Sequence, residues 1–93
     1  MVWVYILRCA DGSFYVGQTS DLGSRIARHN EGTAARWTAA RRSVVLAYAE
    51  HFSTLAEAVA RERQLKRWTH AKKAALADGG VDAIRRWSRS GRS

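Results

Sequence analysis

Ninety-three residues leave room for one hydrophobic core and not two, which excludes a multidomain machine. With 46% hydrophobic and 26% charged residues the chain has the balance of a soluble globular domain, which excludes a disordered segment or a bilayer span. Sixteen Lys and Arg against eight Asp and Glu leave a net charge of +8, so a polyanionic partner is favoured. Nucleic acid stands ahead of an anionic membrane surface, because no helix sets large apolar residues cleanly opposite its charges.

Residues 3–7 (Trp-Val-Tyr-Ile-Leu) and 14–16 (Phe-Tyr-Val) are rich in β-branched and aromatic side chains, with Asp11-Gly12 between them, and predict a β-hairpin. After turn residues at 17–21, Leu22, Ile26 and Asn30 recur at helical spacing, with Asp21 or Ser20 as N-cap and Gly32 as the stop. Residues 33–43, basic and Ala-rich with weak periodicity, read as a loop carrying Arg36, Trp37, Arg41 and Arg42. The unbroken apolar run at 44–49 predicts a third strand buried on both sides. Thr54-Leu55-Ala56-Glu57 has the spacing of a capping box, and good helix formers follow to about Trp68. Thr69 is expected to cap another helix through Leu76, Gly79-Gly80 to break it, and 81–87 to form a last short helix. One domain over 1–87 with a frayed basic tail at 88–93 is the expected organisation.

The single cysteine, Cys9, cannot form an internal disulfide, and no Cys/His spacing of the zinc type occurs. With neither an export signal nor a long apolar run in the sequence, the expected location is the cytoplasm.

Polar residues stand where core faces should be. At about 100° per residue, Arg25 and His29 share the side of their helix that carries Leu22 and Ile26. On the later helix Glu62 falls within the stripe of Leu55, Ala58 and Val59. A buried unpaired charge is costly, so these groups must pair, bind an ion or line a cleft. Two readings stay open: a structural Arg25–Glu62 ion pair, or a site where a cation, an anion and an imidazole converge, as phosphodiester cleavage requires. Tyr5 and Tyr15 carry the same ambiguity between packing and function. A two-residue Asp11-Gly12 turn would pair residues summing to 23 and send the two tyrosines to opposite faces; an odd loop or a bulge would unite them.

Val4-Tyr5-Ile6, then Tyr15-Val16-Gly17, Arg25, His29 and the helix-borne Glu62 together resemble the GIY-YIG nuclease superfamily over about residues 2–78. The runs Tyr-Val-Gly-Gln-Thr, Arg-Ile-Ala-Arg-His-Asn and Arg-Glu-Arg-Gln-Leu-Lys-Arg-Trp are similar to its small single-domain bacterial members of the UPF0213 type. The resemblance implies an α+β fold, with a small three-stranded mixed or antiparallel sheet flanked by helices, and hydrolysis of DNA phosphodiesters with one divalent metal ion.

By position, the resemblance makes Glu62 the carboxylate for Mg²⁺ or Mn²⁺, a hard cation that otherwise keeps water. It sets Tyr15 by the attacking water as base or orienter, Tyr5 in the same pocket, and Arg25 on the scissile phosphate. His29 is the competing base. Gln18 stands where some members have lysine, the late asparagine of several members is missing, and Val4 replaces the first motif's glycine.

The expected nucleic-acid contacts are Gln18, Arg28, Arg36, Trp37, Arg41, Arg42, Arg63, Lys66 and Arg67, the arginines and lysine neutralising phosphates and tryptophan free to stack on bases or to join the core. The resulting expectation is a metal-dependent DNA endonuclease that slightly prefers single-stranded or distorted DNA, since so small a domain has no second module to read a major groove. The rival classes are a noncatalytic nucleic-acid-binding domain of the same fold and a partner-binding module that uses the basic helix.

Overall fold

A computed structural model describes residues 1–78. Its elements run β1 (Val2–Arg8), β2 (Phe14–Thr19), α1 (Leu22–Glu31), α2 (Arg36–Ala39), β3 (Val45–Phe52) and α3 (Leu55–Lys66), followed by helical residues 70–78. The expected glycine break at 79–80, helix at 81–87 and tail at 88–93 lie outside the described residues.

The sheet is antiparallel throughout, in the order β2-β1-β3. The hairpin turns through three residues: Cys9 N–H donates to the Ser13 carbonyl at 2.9 Å, Gly12 N–H donates to the Cys9 carbonyl at 2.9 Å, and Gly12 takes φ 85°. A type I turn followed by a left-handed glycine is a usual solution for a loop of that length. The odd loop makes paired residue numbers sum to 22, so Tyr5 faces Gly17 and Leu7 faces Tyr15. Both tyrosines therefore share one face of the sheet.

Central β1 is covered on both faces, which is why Val4, Tyr5, Ile6 and Leu7 are all buried in succession. One face packs Val4, Ile6 and Val16 against Ala58 and Leu65 of α3 and against Leu76. The other packs Tyr5, Leu7, Cys9 and Val44 against Tyr15 and against Leu22 and Ile26 of α1. Asp21 caps α1 by accepting from Ser24 N–H at 3.1 Å, and Gly32 ends it at φ 83°. The Thr33 N–H closing back on the Arg28 carbonyl at 2.9 Å completes a Schellman stop. At α3 Thr54 Oγ1 accepts from Glu57 N–H at 3.2 Å, while its own hydroxyl donates to the Glu57 carboxylate at 3.0 Å.

Two expectations are corrected. The third strand begins and ends later than 44–49, and it is an edge strand, not one buried on both sides: Val45 is 58% exposed and Leu46 43%. Among the described residues it pairs with β1 alone, and Ala47 is the extra residue between the pairs Ile6↔Tyr48 and Leu7↔Leu46. An apolar run reads alike in a central and an edge strand, so the sequence pattern did not separate them. The segment 33–43 is not all loop, since α2 makes one helical turn within it. That turn is too short to display a period.

Candidate active site

Tyr5 is wholly buried on the α1 face of β1, and its hydroxyl lies 3.0 Å from His29 Nε2. The Tyr15 ring sits beside both, with centroids 6.4 Å from Tyr5 and 5.0 Å from His29. Gly17 makes room for this arrangement. A Cβ there would stand 2.5 Å from the Tyr5 hydroxyl oxygen, 2.7 Å from its Cζ and 3.2 Å from Tyr15 Cε2. The glycine of the second motif is thus a space requirement imposed by the tyrosine of the first.

His29, from α1, is 1% exposed, and both ring nitrogens are engaged, Nδ1 lying 2.7 Å from the Thr38 hydroxyl of α2. Burial, then the charges of Arg25 and Arg28, hold its imidazole below the usual range. The Tyr5 phenol is pushed up to about 12, first by burial and by Tyr15, with the Glu62 carboxylate adding to the rise. Arg25, as nearby charge and side-chain donor, pulls it the other way. At neutral pH the pair is a phenol beside a neutral imidazole.

Arg25 is half-buried on α1. Glu62 lies on α3 in the row of Ala58 and Leu65, both fully buried, so its side chain is only 18% exposed. Among the described residues its ion pair is with Lys66 at 3.0 Å, one turn along, and not with Arg25. The purely structural Arg25–Glu62 pair is therefore absent. Both charges act instead on the Tyr5 hydroxyl, from opposite signs.

Among the described residues no three His, Cys, Asp or Glu side chains gather as a metal cage. A lone, mostly buried carboxylate is the donor set of an ion held by one or two carboxylates, waters and substrate phosphate, as Mg²⁺ or Mn²⁺ is. It does not suit the closed Cys/His sites of structural zinc.

Trp37 forms one wall. Its ring lies 5.9 Å from Tyr15 and remains 39% exposed. Arg41 holds it, its guanidinium over the ring 4.0 Å from the centroid, donating to the Trp37 carbonyl at 2.9 Å and paired with Asp11 at 3.2 Å. Arg42 donates to the Glu31 carbonyl at 3.2 Å, near the end of α1. Arg28, Arg36, Arg63, Lys66 and Arg67 are exposed and Gln18 half-buried. Trp68 packs against the core, with Arg61 and Lys72 over its ring at 5.2 and 4.2 Å.

Two further residues matter here: Thr38, whose short turn displays no period, and Asn30, which recurs with Leu22 and Ile26 at helical spacing. Thr38 is fully buried against His29. Asn30 mimics a strand partner for Val44, accepting its N–H at 2.8 Å and donating to its carbonyl at 3.1 Å. The polarity of Asn30 in the row of Leu22 and Ile26 hinted at such a role.

Residues 1–75 match the family described as the GIY-YIG catalytic domain. A UPF0213 protein of Bacillus pumilus (strain SAFR-032) is 49% identical over 71 residues, which cover 76% of this chain and 72% of the relative. One from Staphylococcus aureus (strain Mu3 / ATCC 700698) is 43% identical over 74 residues, covering 80% and 90%. The solution NMR structure of a UPF0213 protein from Bacillus halodurans superposes with a TM-score of 0.55 at 34% identity, covering 97% of this chain and 98% of the other.

Proposed function

Since the chain belongs to the GIY-YIG family, a nuclease superfamily, we propose that it is a metal-dependent endonuclease that hydrolyses DNA phosphodiester bonds. The observation that carries this reading is the meeting of Tyr5, Tyr15 and His29 at one point where the Arg25 and Glu62 charges both act.

Glu62 would hold Mg²⁺ or Mn²⁺. When bound, the ion supplies Lewis-acid stabilisation of the phosphate and acidifies a water. Arg25 binds the scissile phosphate and stabilises the charge that grows on it in the transition state. Tyr15 lies by the attacking water and orients it through its hydroxyl, or takes its proton. His29 has both nitrogens engaged. That favours Tyr15 over His29 as the group next to the water and makes His29 the holder of Tyr5. Tyr5 remains a phenol at working pH, because burial opposes its ionisation.

Arg28, Arg36, Arg42, Arg63, Lys66 and Arg67 would neutralise backbone phosphates, and Trp37 offers a ring on which a base can stack beside Tyr15. Gln18 can hydrogen-bond a phosphate without adding charge. The partly exposed Trp37 ring suits single-stranded or distorted DNA slightly better than plain duplex, and the setting we propose is the cytoplasm. Among the described residues no helix is long and apolar enough to cross a membrane.

One observation favours the second reading, a noncatalytic nucleic-acid binder of the same fold. Lys66 already neutralises Glu62 at 3.0 Å. Cleavage of labelled single-stranded and duplex DNA with Mg²⁺, Mn²⁺ or EDTA, beside Glu62→Ala and Tyr15→Phe, decides between them. Metal-dependent cutting lost in both variants with binding intact supports the nuclease. Binding without cutting under any metal supports the binder, and equal rates on the two substrates remove the strand preference.

A further inference from the structure

Thr38 is wholly buried, and its hydroxyl has two neighbours: the Ala35 carbonyl at 3.1 Å and His29 Nδ1 at 2.7 Å. A carbonyl can only accept, so the single hydroxyl proton goes to Ala35. Thr38 Oγ1 then meets His29 with lone pairs, and Nδ1 must carry the imidazole hydrogen. A neutral imidazole protonated at Nδ1 leaves Nε2 as an acceptor, so the Tyr5 hydroxyl, 3.0 Å away, must donate. The reverse assignment would face two oxygens across 3.1 Å with no proton between them, the Ala35 carbonyl keeping only the Ala39 N–H at 3.0 Å.

The geometry points to Thr38 as a positioning residue that fixes the Nδ1–H tautomer of His29 and, through it, turns the Tyr5 hydroxyl proton toward His29 and leaves the Tyr5 oxygen as an acceptor. Its consequence for catalysis rests on the nuclease reading above; the tautomer itself does not. The Arg25 guanidinium, whose charge opposes the rise of the Tyr5 phenol, carries donors and no acceptor, so any approach it makes to that oxygen is to lone pairs. The one-turn helix α2 has a defined task in this arrangement, since it carries Thr38 inward and Trp37 outward on successive residues.

The test is ¹⁵N NMR of the histidine rings in the full chain at neutral pH. His29 is expected with Nδ1 protonated in the wild type, unchanged in Thr38→Ser, and unchanged in Tyr5→Phe because Thr38 and not Tyr5 sets the tautomer. Thr38→Val is expected to move the majority to Nε2–H. An Nε2–H wild type, a Tyr5→Phe variant that loses the Nδ1–H form, or a Thr38→Val variant that keeps it overturns the proposal. If Thr38→Val does not fold, the wild type, Thr38→Ser and Tyr5→Phe still decide. In the cleavage assay Thr38→Val should lower kcat by roughly 10- to 100-fold with KM unchanged, the scale of a small misplacement of a reacting group, and Thr38→Ser should restore it. Full activity in Thr38→Val contradicts the proposal. A wild type that never cuts refutes the nuclease reading, while the ring tautomer still decides this one.

Discussion

Gly17 and Tyr5 form one unit split between two strands. The added methyl of Gly17→Ala would meet the Tyr5 ring, which is fully buried and has nowhere to retreat. Overpacking of that kind costs about 1–3 kcal/mol. We expect Gly17→Ala to fold with a lowered urea midpoint and to lose cleavage while still binding DNA; wild-type cleavage would mean that the position of Tyr5 is irrelevant. The Tyr5–His29 pair also predicts how stability responds to pH. His29 is held below its ordinary 6.5 by burial and by Arg25 and Arg28, so the unfolded chain takes up the proton first. Its contribution is complete above pH 6.5 and is lost as pH falls through the depressed folded value. Tyr5 has the opposite sign: raised from 10.0 to about 12, its contribution is complete below pH 10 and is lost as pH climbs through 12. Urea unfolding across pH 5–7.5 and 9–12 reads both, and a flat profile in either window contradicts the corresponding shift.

Among the elements, α3 and the hairpin do most to assemble the site. Glu62 is presented between Ala58 and Leu65, so the packing of those two residues sets where the carboxylate stands. Leu65→Ala should cost about 2–5 kcal/mol, as removal of a buried leucine does, and should weaken metal-dependent cutting beyond what the loss of folded protein explains. Thermal unfolding with activity per folded molecule checks it. The sequence made much of this legible. The capping residues Asp21, Gly32 and Thr54 marked the ends of α1 and the start of α3, because caps are local chemistry. Residue parity showed that Tyr5 and Tyr15 could share a face only across an odd loop, and the loop has three residues. What was not legible depends on tertiary neighbours. Nothing within 44–52 says how many strands lie beside it, and Thr38 becomes meaningful only once α1 brings His29 to it.

At the scale of the whole molecule the +8 charge predicts how binding fails with salt. Each neutralised phosphate contributes a slope of about −0.9 for duplex or −0.7 for a single strand in log K against log salt. Arg36→Ala, Arg63→Ala and Arg67→Ala should each reduce that slope by about one contact and weaken binding evenly across sequences. Arg41→Ala should differ from them, because Arg41 is committed to Asp11 and to the ring and carbonyl of Trp37. Its loss should loosen the Trp37 wall and change cleavage more than the salt slope. Fluorescence anisotropy across a salt series, paired with cleavage rates, separates the two classes.

On the proposed mechanism, cleavage depends most on Glu62, the residue that would bring the metal to a phosphate held by Arg25. Its most direct test is a Mg²⁺ titration of DNA cleavage in wild type and Glu62→Gln, which keeps the side chain's size and removes its charge. Saturable, EDTA-reversible cutting by the wild type, cutting abolished in Glu62→Gln, and DNA affinity retained in both are the expected results. Equal cutting by the two proteins, or binding by the wild type with no cutting at any metal concentration, would contradict this mechanism.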